Sequence, residues 1–297
     1  MKRIFSIENM QHISHRLKRS GKKIGFVPTM GYLHEGHIAL MKKAKEENDI
    51  VVLSVFVNPL QFGPNEDFHS YPRDERRDQE LAEINGMDYL FMPSIEEMYP
   101  ESMTTTIKVK QRVDVLCGRK RKGHFDGVAV VIAKLFHIVQ PDRAYFGLKD
   151  AQQVAVIHGL IRDYHFPVQL RTVETVREED GLAKSSRNVH LTKSERQQAK
   201  YLYRSLLLGK DLIEKGERYP SVILQKIQSF LTERIDGKID YIEMYSYPEL
   251  KPLRTIDEDI IIALAVQFSK VRLIDNIILK GKEKRRFLSE EKICTGR

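Results

Sequence analysis

The chain reads as an α/β protein, a doubly wound parallel sheet with a second, smaller α+β C-terminal domain. Up to about residue 175, short β-branched apolar runs alternate with stretches whose apolar residues recur at the helical period. After "REEDGLAKSSRN" that alternation stops, and two helical stretches precede three strand-like runs. The length, 297 residues, suits one large domain or two smaller ones. The boundaries expected are 1–175, 176–282 and a disordered tail over 283–297, where "EKRRFLSEEKICTGR" is polar and aperiodic.

Taken in order, "KIGFVP" at 23–28 is a buried strand. Residues 34–47 form a helix with Ile38, Met41 and Ala44 on one stripe, and "DIVVLSVFVN" at 49–58 is a second buried strand. Strand, helix, strand makes a βαβ unit and so a parallel sheet. "RDERRDQELAEIN" continues as a helix and "DYLFM" at 88–92 as a strand. "GVAVVIAKLFHIV" at 127–139 is a strongly apolar helix, stopped by Pro141. A short strand at 144–147, a helix in "DAQQVAVIHGLIRDY" and a strand at 167–176 complete the first domain. Beyond it come helices near 192–215 and 220–235 and strands at 240–246, 259–268 and 271–279. No reading is assigned to the first twenty residues beyond their basic character.

Hydrophobic residues make up 41% and charged residues 30%, an ordinary globular mixture. Two distant cysteines, Cys117 and Cys294, argue for a reducing compartment and against Cys-rich zinc modules. The N-terminus lacks an apolar stretch long enough for a signal peptide, and "IIIALAV" at 260–266 is too short to span a bilayer. A cytoplasmic protein with no membrane partner is expected. The net charge of +8 and pI near 9.2 fit an anionic partner.

One stretch looks out of place in an ordinary interior. "FVPTMGYLHEGH" sets His34 and His37 three apart where a strand gives way to a helix. In an open parallel sheet, ligands bind beyond the carboxyl ends of the strands, and a helix N-terminus there favours an anion. At that spacing the two rings would share one helical face. Gly36 between them would let a flat group approach the backbone. The site suits a nucleotide. For a lone H-x-x-H, two neighbouring surface histidines are the commoner explanation. Zinc fits poorly, since a zinc helix needs histidines four apart.

"PTMGYLHEGH" resembles the signature of the pantothenate synthetases (pantoate–β-alanine ligases), a family of the H-x-G-H nucleotidylyltransferase superfamily. The likeness extends to "SVFVNPLQFGPNEDFHSYPRD" at 54–74, "GHFDGVAVVIAKLFHIVQPDRAYFGLKDAQQ" at 123–153 and "TVREEDGLAKSSRNVHL" at 175–191. It covers about residues 20–280. The resemblance implies a Rossmann-type N-terminal domain, a C-terminal lid and a homodimer. The implied reaction takes ATP, pantoate and β-alanine, uses Mg²⁺ and passes through a pantoyl adenylate. The basic surplus then serves phosphates rather than nucleic acid. "GRKRKGHF" offers only Phe125 as an aromatic, where a nucleic-acid surface needs several.

By the same resemblance, Met30, Gly31, Tyr32, Leu33, His34, Glu35, Gly36 and His37 line the ATP site, with His37 as the proton donor. His34 and Lys149 join it in catalysis. Gly147, Leu148, Lys149 and Asp150, at the end of the strand at 144–147, belong to the same ATP site, where a lysine suits phosphate and carboxylate oxygens. Asp150 could accept from ribose hydroxyls or cap a helix. Val176 would meet the nucleotide through its backbone, and Lys184, Ser185, Ser186 and Arg187 would form a phosphate-gripping loop. Gln61 and Gln153 would bind pantoate, since an amide both donates and accepts. Asn58, His124 and Met30 are secondary transfers. The side chains holding Mg²⁺ are unknown from the sequence, with Asp78 the one suggestion. Two positions depart from many relatives, Lys122 before "GHF" and Lys184 before "SSRN". The stem of Lys184 is expected to pack while its ammonium meets water, reach to a phosphate being the alternative.

Overall fold

The computed structural model describes residues 1–64, 66 and 68–281; the expectation of a disordered tail over 283–297 lies outside them. The chain divides into two compact units, Met1–Val176 with Lys184–Ser186, and Arg177–Ala183 with the chain from Arg187 on.

The first unit opens with elements to which the sequence reading assigns nothing. They are strand β1 (Lys2–Ile4) and helix α1 (Ile7–Arg19), capped by Ser6 and burying Met10, Ile13 and Leu17. There follow β2 (Ile24–Thr29), α2 (Glu35–Glu47), β3 (Ile50–Val55), α3 (Glu75–Ile84), β4 (Tyr89–Phe91) and the single turn α4 (Ile95–Met98). Then come α5 (His124–Val139), β5 (Arg143–Gly147), α6 (Ala151–Asp163) and β6 (Gln169–Val173). Several strands are shorter than expected, β3 and β6 by the most. β3 ends at Val55 because Asn58 caps a 3₁₀ turn over Pro59–Gln61, and β6 stops at Val173.

The six strands are all parallel in the order β1-β4-β3-β2-β5-β6. Helices cover both faces. On one side Ile24, Phe26 and Val52 meet Met10, Ile13 and Leu17 of α1, the apolar side chains of α5 and those of α6. On the other, Val27, Val51 and Leu53 meet Leu40, Met41 and Ala44 of α2 and Ala82 of α3. Two covered faces explain why β2 and β3 are continuous apolar runs rather than alternating ones. α5 is buried around most of its surface, with His137 exposed and Lys134 half-buried, which matches its strongly apolar sequence.

The second unit packs α7 (Lys193–Glu214) and α8 (Pro220–Thr232) on an antiparallel sheet of β7 (Lys238–Ser246), β8 (Ile260–Gln267) and β9 (Arg272–Leu279). Leu202, Leu206, Ile223, Ile227, Ile262 and Leu264 form its core. Arg177 ties the start of this unit down, with a bidentate pair to buried Asp275 at 2.7 and 3.0 Å and its guanidinium 3.5 Å from the Tyr203 ring centre.

Candidate active site

The strand order reverses at β2, with β3 on one side and β5 on the other, and a crevice at that switch point is where such sheets take ligands. Two turns leave the sheet there: residues 30–34 run from β2 into α2, and Leu148–Asp150 form a 3₁₀ turn after β5.

His34 is the N-cap of α2, in extended conformation, and not a helical residue. The two rings therefore do not share a helical face; they meet across a capping box. His34 Nδ1 accepts from Gly36 N at 3.1 Å, and His37 Nδ1 accepts from His34 N at 3.2 Å. The rings lie 4.1 Å apart between centres. Since each Nδ1 accepts, a neutral ring carries its proton on Nε2, so both imidazoles present Nε2–H as a donor. Burial and then the neighbouring positive Lys149 lower His34 to about 4. Burial, then His34, then Lys149 lower His37 to about 3. At neutral pH without ligand, both are uncharged donors at a helix N-terminus. The space beside Gly36 is taken by His34 itself: a Cβ there would stand 2.8 Å from His34 Cε1, so the glycine admits the imidazole rather than an incoming flat group.

Asp78 organises the turn before them. Its carboxylate accepts from Tyr32 N at 2.8 Å and Leu33 N at 2.6 Å, and the residue is 1% exposed. With both oxygens engaged in this way, Asp78 is a keystone of the turn and a poor metal ligand. Gly31, at φ +83°, leaves room for it, since a Cβ there would stand 2.7 Å from Asp78 Oδ2, and Arg77 lies over the Tyr32 ring at 5.2 Å. Neither contact has a local signal in the sequence, because 46 residues separate Asp78 from Tyr32.

Lys149 Nζ lies 3.6 Å from Asp150 Oδ1. Asp150 holds the N-cap position of α6, as the capping reading expects, but its side chain makes no cap bond there. Gly147 ends β5, and Leu148 packs against the core. Val176 O accepts from Lys184 N at 2.9 Å. Lys184 Nζ reaches Glu35 Oε1 at 3.5 Å instead of extending into water. Ser185 and Ser186 are half-buried in the first unit, while Arg187 belongs to the second.

Gln61 is buried, and its Nε2 donates to Met30 Sδ at 2.9 Å, which brings it to the β2–α2 turn. Its backbone is held by His124, whose Nδ1 donates to Gln61 O at 2.7 Å. Arg121 in turn reaches His124 Nε2 at 3.0 Å and grips Glu66 with two nitrogens. Arg121 is thus committed inside the site rather than to a basic surface; Lys122 is exposed. Asn58 is scaffold: it donates to Gly127 O at 3.0 Å and accepts from Tyr99 at 2.8 Å. A Cβ on Gly127 would stand 2.2 Å from Leu60 O, so the turn rests directly on α5. Of the two glutamines in "DAQQ", Gln152 is buried and bonds Arg112 O and Val115 O, while Gln153 is half-buried. Among the described residues, no group of three or more His, Cys, Asp or Glu is set to hold a metal ion.

Residues 2–278 match the family model described as pantoate-beta-alanine ligase. The chain is 62% identical over 273 residues to a pantothenate synthetase of Geobacillus sp. (strain WCH70), covering 92% of this chain and 97% of that one. It is 58% identical to one of Bacillus mycoides (strain KBAB4), covering 95% and 100%. Among solved structures, a pantothenate synthetase of Thermus thermophilus superposes with a TM-score of 0.88 at 44% identity, covering 93% and 99%. The pantoate-beta-alanine ligase of Francisella tularensis complexed with beta-gamma ATP and beta-alanine gives 0.77 at 36% identity, covering 94% and 97%. The family model spans nearly the whole chain, and the relatives match over nearly all of their own length: the protein belongs to the pantoate–β-alanine ligase family.

Proposed function

We propose that the protein condenses pantoate with β-alanine, driven by ATP, to give pantothenate, AMP and pyrophosphate. In the first step a pantoate carboxylate oxygen bonds to the α-phosphorus of ATP, and the bond to pyrophosphate breaks. In the second, the β-alanine amine attacks the acyl carbon, AMP leaves, and the amine loses a proton. Adenylation is required because a carboxylate carries no leaving group that an amine can displace at neutral pH.

The observation that carries this reading is the paired Nε2–H donors of His34 and His37 at the N-terminus of α2, beside Lys149. Charge in the first step develops on phosphate oxygens, so preorganised donors and one mobile cation are what the step needs. His37 then acts by donating a hydrogen bond from a neutral ring, and triphosphate charge would raise its affinity for a proton. Gln61, against Met30, offers a neutral amide to the hydroxyls of pantoate, with Gln153 as its partner on α6. A phosphorylated acceptor would call for cations in place of those amides.

Mg²⁺ would enter as the ATP complex, held mainly by phosphate oxygens and water. It would neutralise charge on the phosphates; the described residues supply no cage for it. The resemblance supports a homodimer and a cytoplasmic site of action, and no described helix is long and apolar enough to cross a membrane. The deciding experiment is exchange of labelled pyrophosphate into ATP. It should require pantoate and proceed without β-alanine. Exchange that appears only on adding β-alanine would sink the discrete adenylate.

A further inference from the structure

Glu35 is the first helical residue of α2, next to His34 and two residues before His37. Its carboxylate suits a helix N-terminus. It also stands one residue from where a triphosphate would be gripped, and like charges there oppose binding. Lys184 answers it. Its backbone N–H is fixed to Val176 O at 2.9 Å, its side chain is 21% exposed, and its Nζ lies 3.5 Å from Glu35 Oε1.

From this geometry we infer that Lys184 is a positioning residue. Its ammonium neutralises Glu35 and fastens residues 184–186 to the start of α2, keeping that helix end favourable to phosphate without itself gripping the nucleotide. The inference rests on the ATP-dependent reading above and specifies what one cation of that site does. It replaces a direct Lys184–phosphate contact with an indirect one, and the two make opposite predictions about Glu35. If Lys184 acts through Glu35, removing Glu35 makes Lys184 dispensable. If Lys184 touches phosphate, its loss is felt whatever stands at position 35.

The test is a double-mutant cycle of Lys184→Met, Glu35→Gln and the pair, with Mg–ATP as the probe. Two readouts are taken, the KM for ATP against kcat in pantoate-dependent exchange, and equilibrium ATP binding by calorimetry. Lys184→Met alone should raise the KM for ATP roughly threefold to fivefold, the scale of a partly exposed charge pair, with kcat nearly unchanged. Lys184→Arg should keep wild-type KM. Glu35→Gln should leave KM equal or lower, and Lys184→Met should then add no further loss. An equal loss from Lys184→Met in both backgrounds overturns the proposal in favour of direct phosphate contact. No loss from Lys184→Met, or a raised KM in Glu35→Gln, overturns it as well. Melting temperatures of the variants exclude misfolding. Were the wild type to lack pantoate-dependent exchange, the reaction assignment would fail, while the calorimetric cycle would still decide the Lys184–Glu35 coupling.

Discussion

The turn after β2 and the turn after β3 leave neighbouring strands at the same edge of the sheet, yet they assign structural work to different atoms. In the first, the side chains proposed to meet phosphate also hold the backbone: each Nδ1 caps α2 and each Nε2–H is left for a ligand. In the second, Gln61 is held by others. His124 and Arg121 bond its carbonyl, and Asn58 clamps the turn to α5. The proposed binding roles and the support are therefore fused within single rings after β2 and divided between residues after β3. Substitutions after β2 mix folding and chemistry unless chosen to keep Nδ1-like acceptors; after β3 the two separate cleanly.

The largest effect expected from this contrast is at His37. Asparagine there can place its Oδ1 near the position of Nδ1 and keep the bond from His34 N, while the Nε2–H donor is lost. Losing one preorganised donor costs about 10²–10³ in turnover. His37→Asn should therefore depress pyrophosphate exchange by that factor and melt close to wild type. His37→Ala should lose both. A His37→Asn enzyme with near-normal exchange would break the first half of the comparison.

A smaller effect is expected after β3. Gln61→Ala should weaken pantoate binding by roughly 1–3 kcal/mol, the cost of leaving a buried hydroxyl unpaired, and spare ATP binding. Asn58→Ala should do the reverse in kind. It leaves the Tyr99 hydroxyl without its acceptor and removes the clamp on Gly127 O, so the loss of about 1–3 kcal/mol should appear in urea unfolding. Equal effects of both variants on both readouts would show that the division does not exist.

The smallest effect sharpens the first turn through pH. Free imidazoles titrate near 6.5, whereas His34 falls to about 4 and His37 to about 3, chiefly through burial. Between those values the unfolded chain binds more protons than the folded one. Stability should therefore fall as pH drops from about 6.5 towards 4, and be flat with respect to these groups above about 7. Melting curves should show a shallower acid decline in His37→Asn. Nitrogen-15 spectra of the ligand-free protein should show both rings neutral at pH 5; a protonated His37 signal there would contradict the capping arrangement.

Much of this architecture is legible where one period dominates. β2, α2, β3 and α5 follow from unbroken apolar runs and from the helical stripe of Met41 and Ala44. α1 carries a signal too, since Ile7, Met10, Ile13 and Leu17 keep a helical period, but the basic residues around them mask it. At the site, the two histidines suggest a nucleotide only together with the motifs around them, and their geometry does not follow from spacing. A cap residue precedes its helix, so His34 joins His37 through backbone bonds and not along a face. Asp78 is hidden for a different reason. A carboxylate that closes a turn 45 and 46 residues away leaves no local pattern, and proximity in the fold alone reveals it. The choice between Gln152 and Gln153 is equally closed, because it depends on which side of α6 faces the segment 112–118.

Gly127 gives α5 a consequence that its chemistry does not suggest. The helix carries no proposed ligand group along its buried length, and by composition it is plain filling. Yet the backbone of Leu60 rests so closely on Gly127 that one added methyl group would stand 2.2 Å from Leu60 O and 2.7 Å from Gln61 N. A genetic screen for loss of vitamin synthesis would therefore recover alanine at position 127 alongside changes in the histidines. A map of tolerated substitutions would draw the catalytic region's outline through the middle of the core. Laboratory evolution aimed at the pantoate contact proposed for Gln61 would meet the same boundary from the other side: position 127 must stay bare before position 61 can be varied with profit.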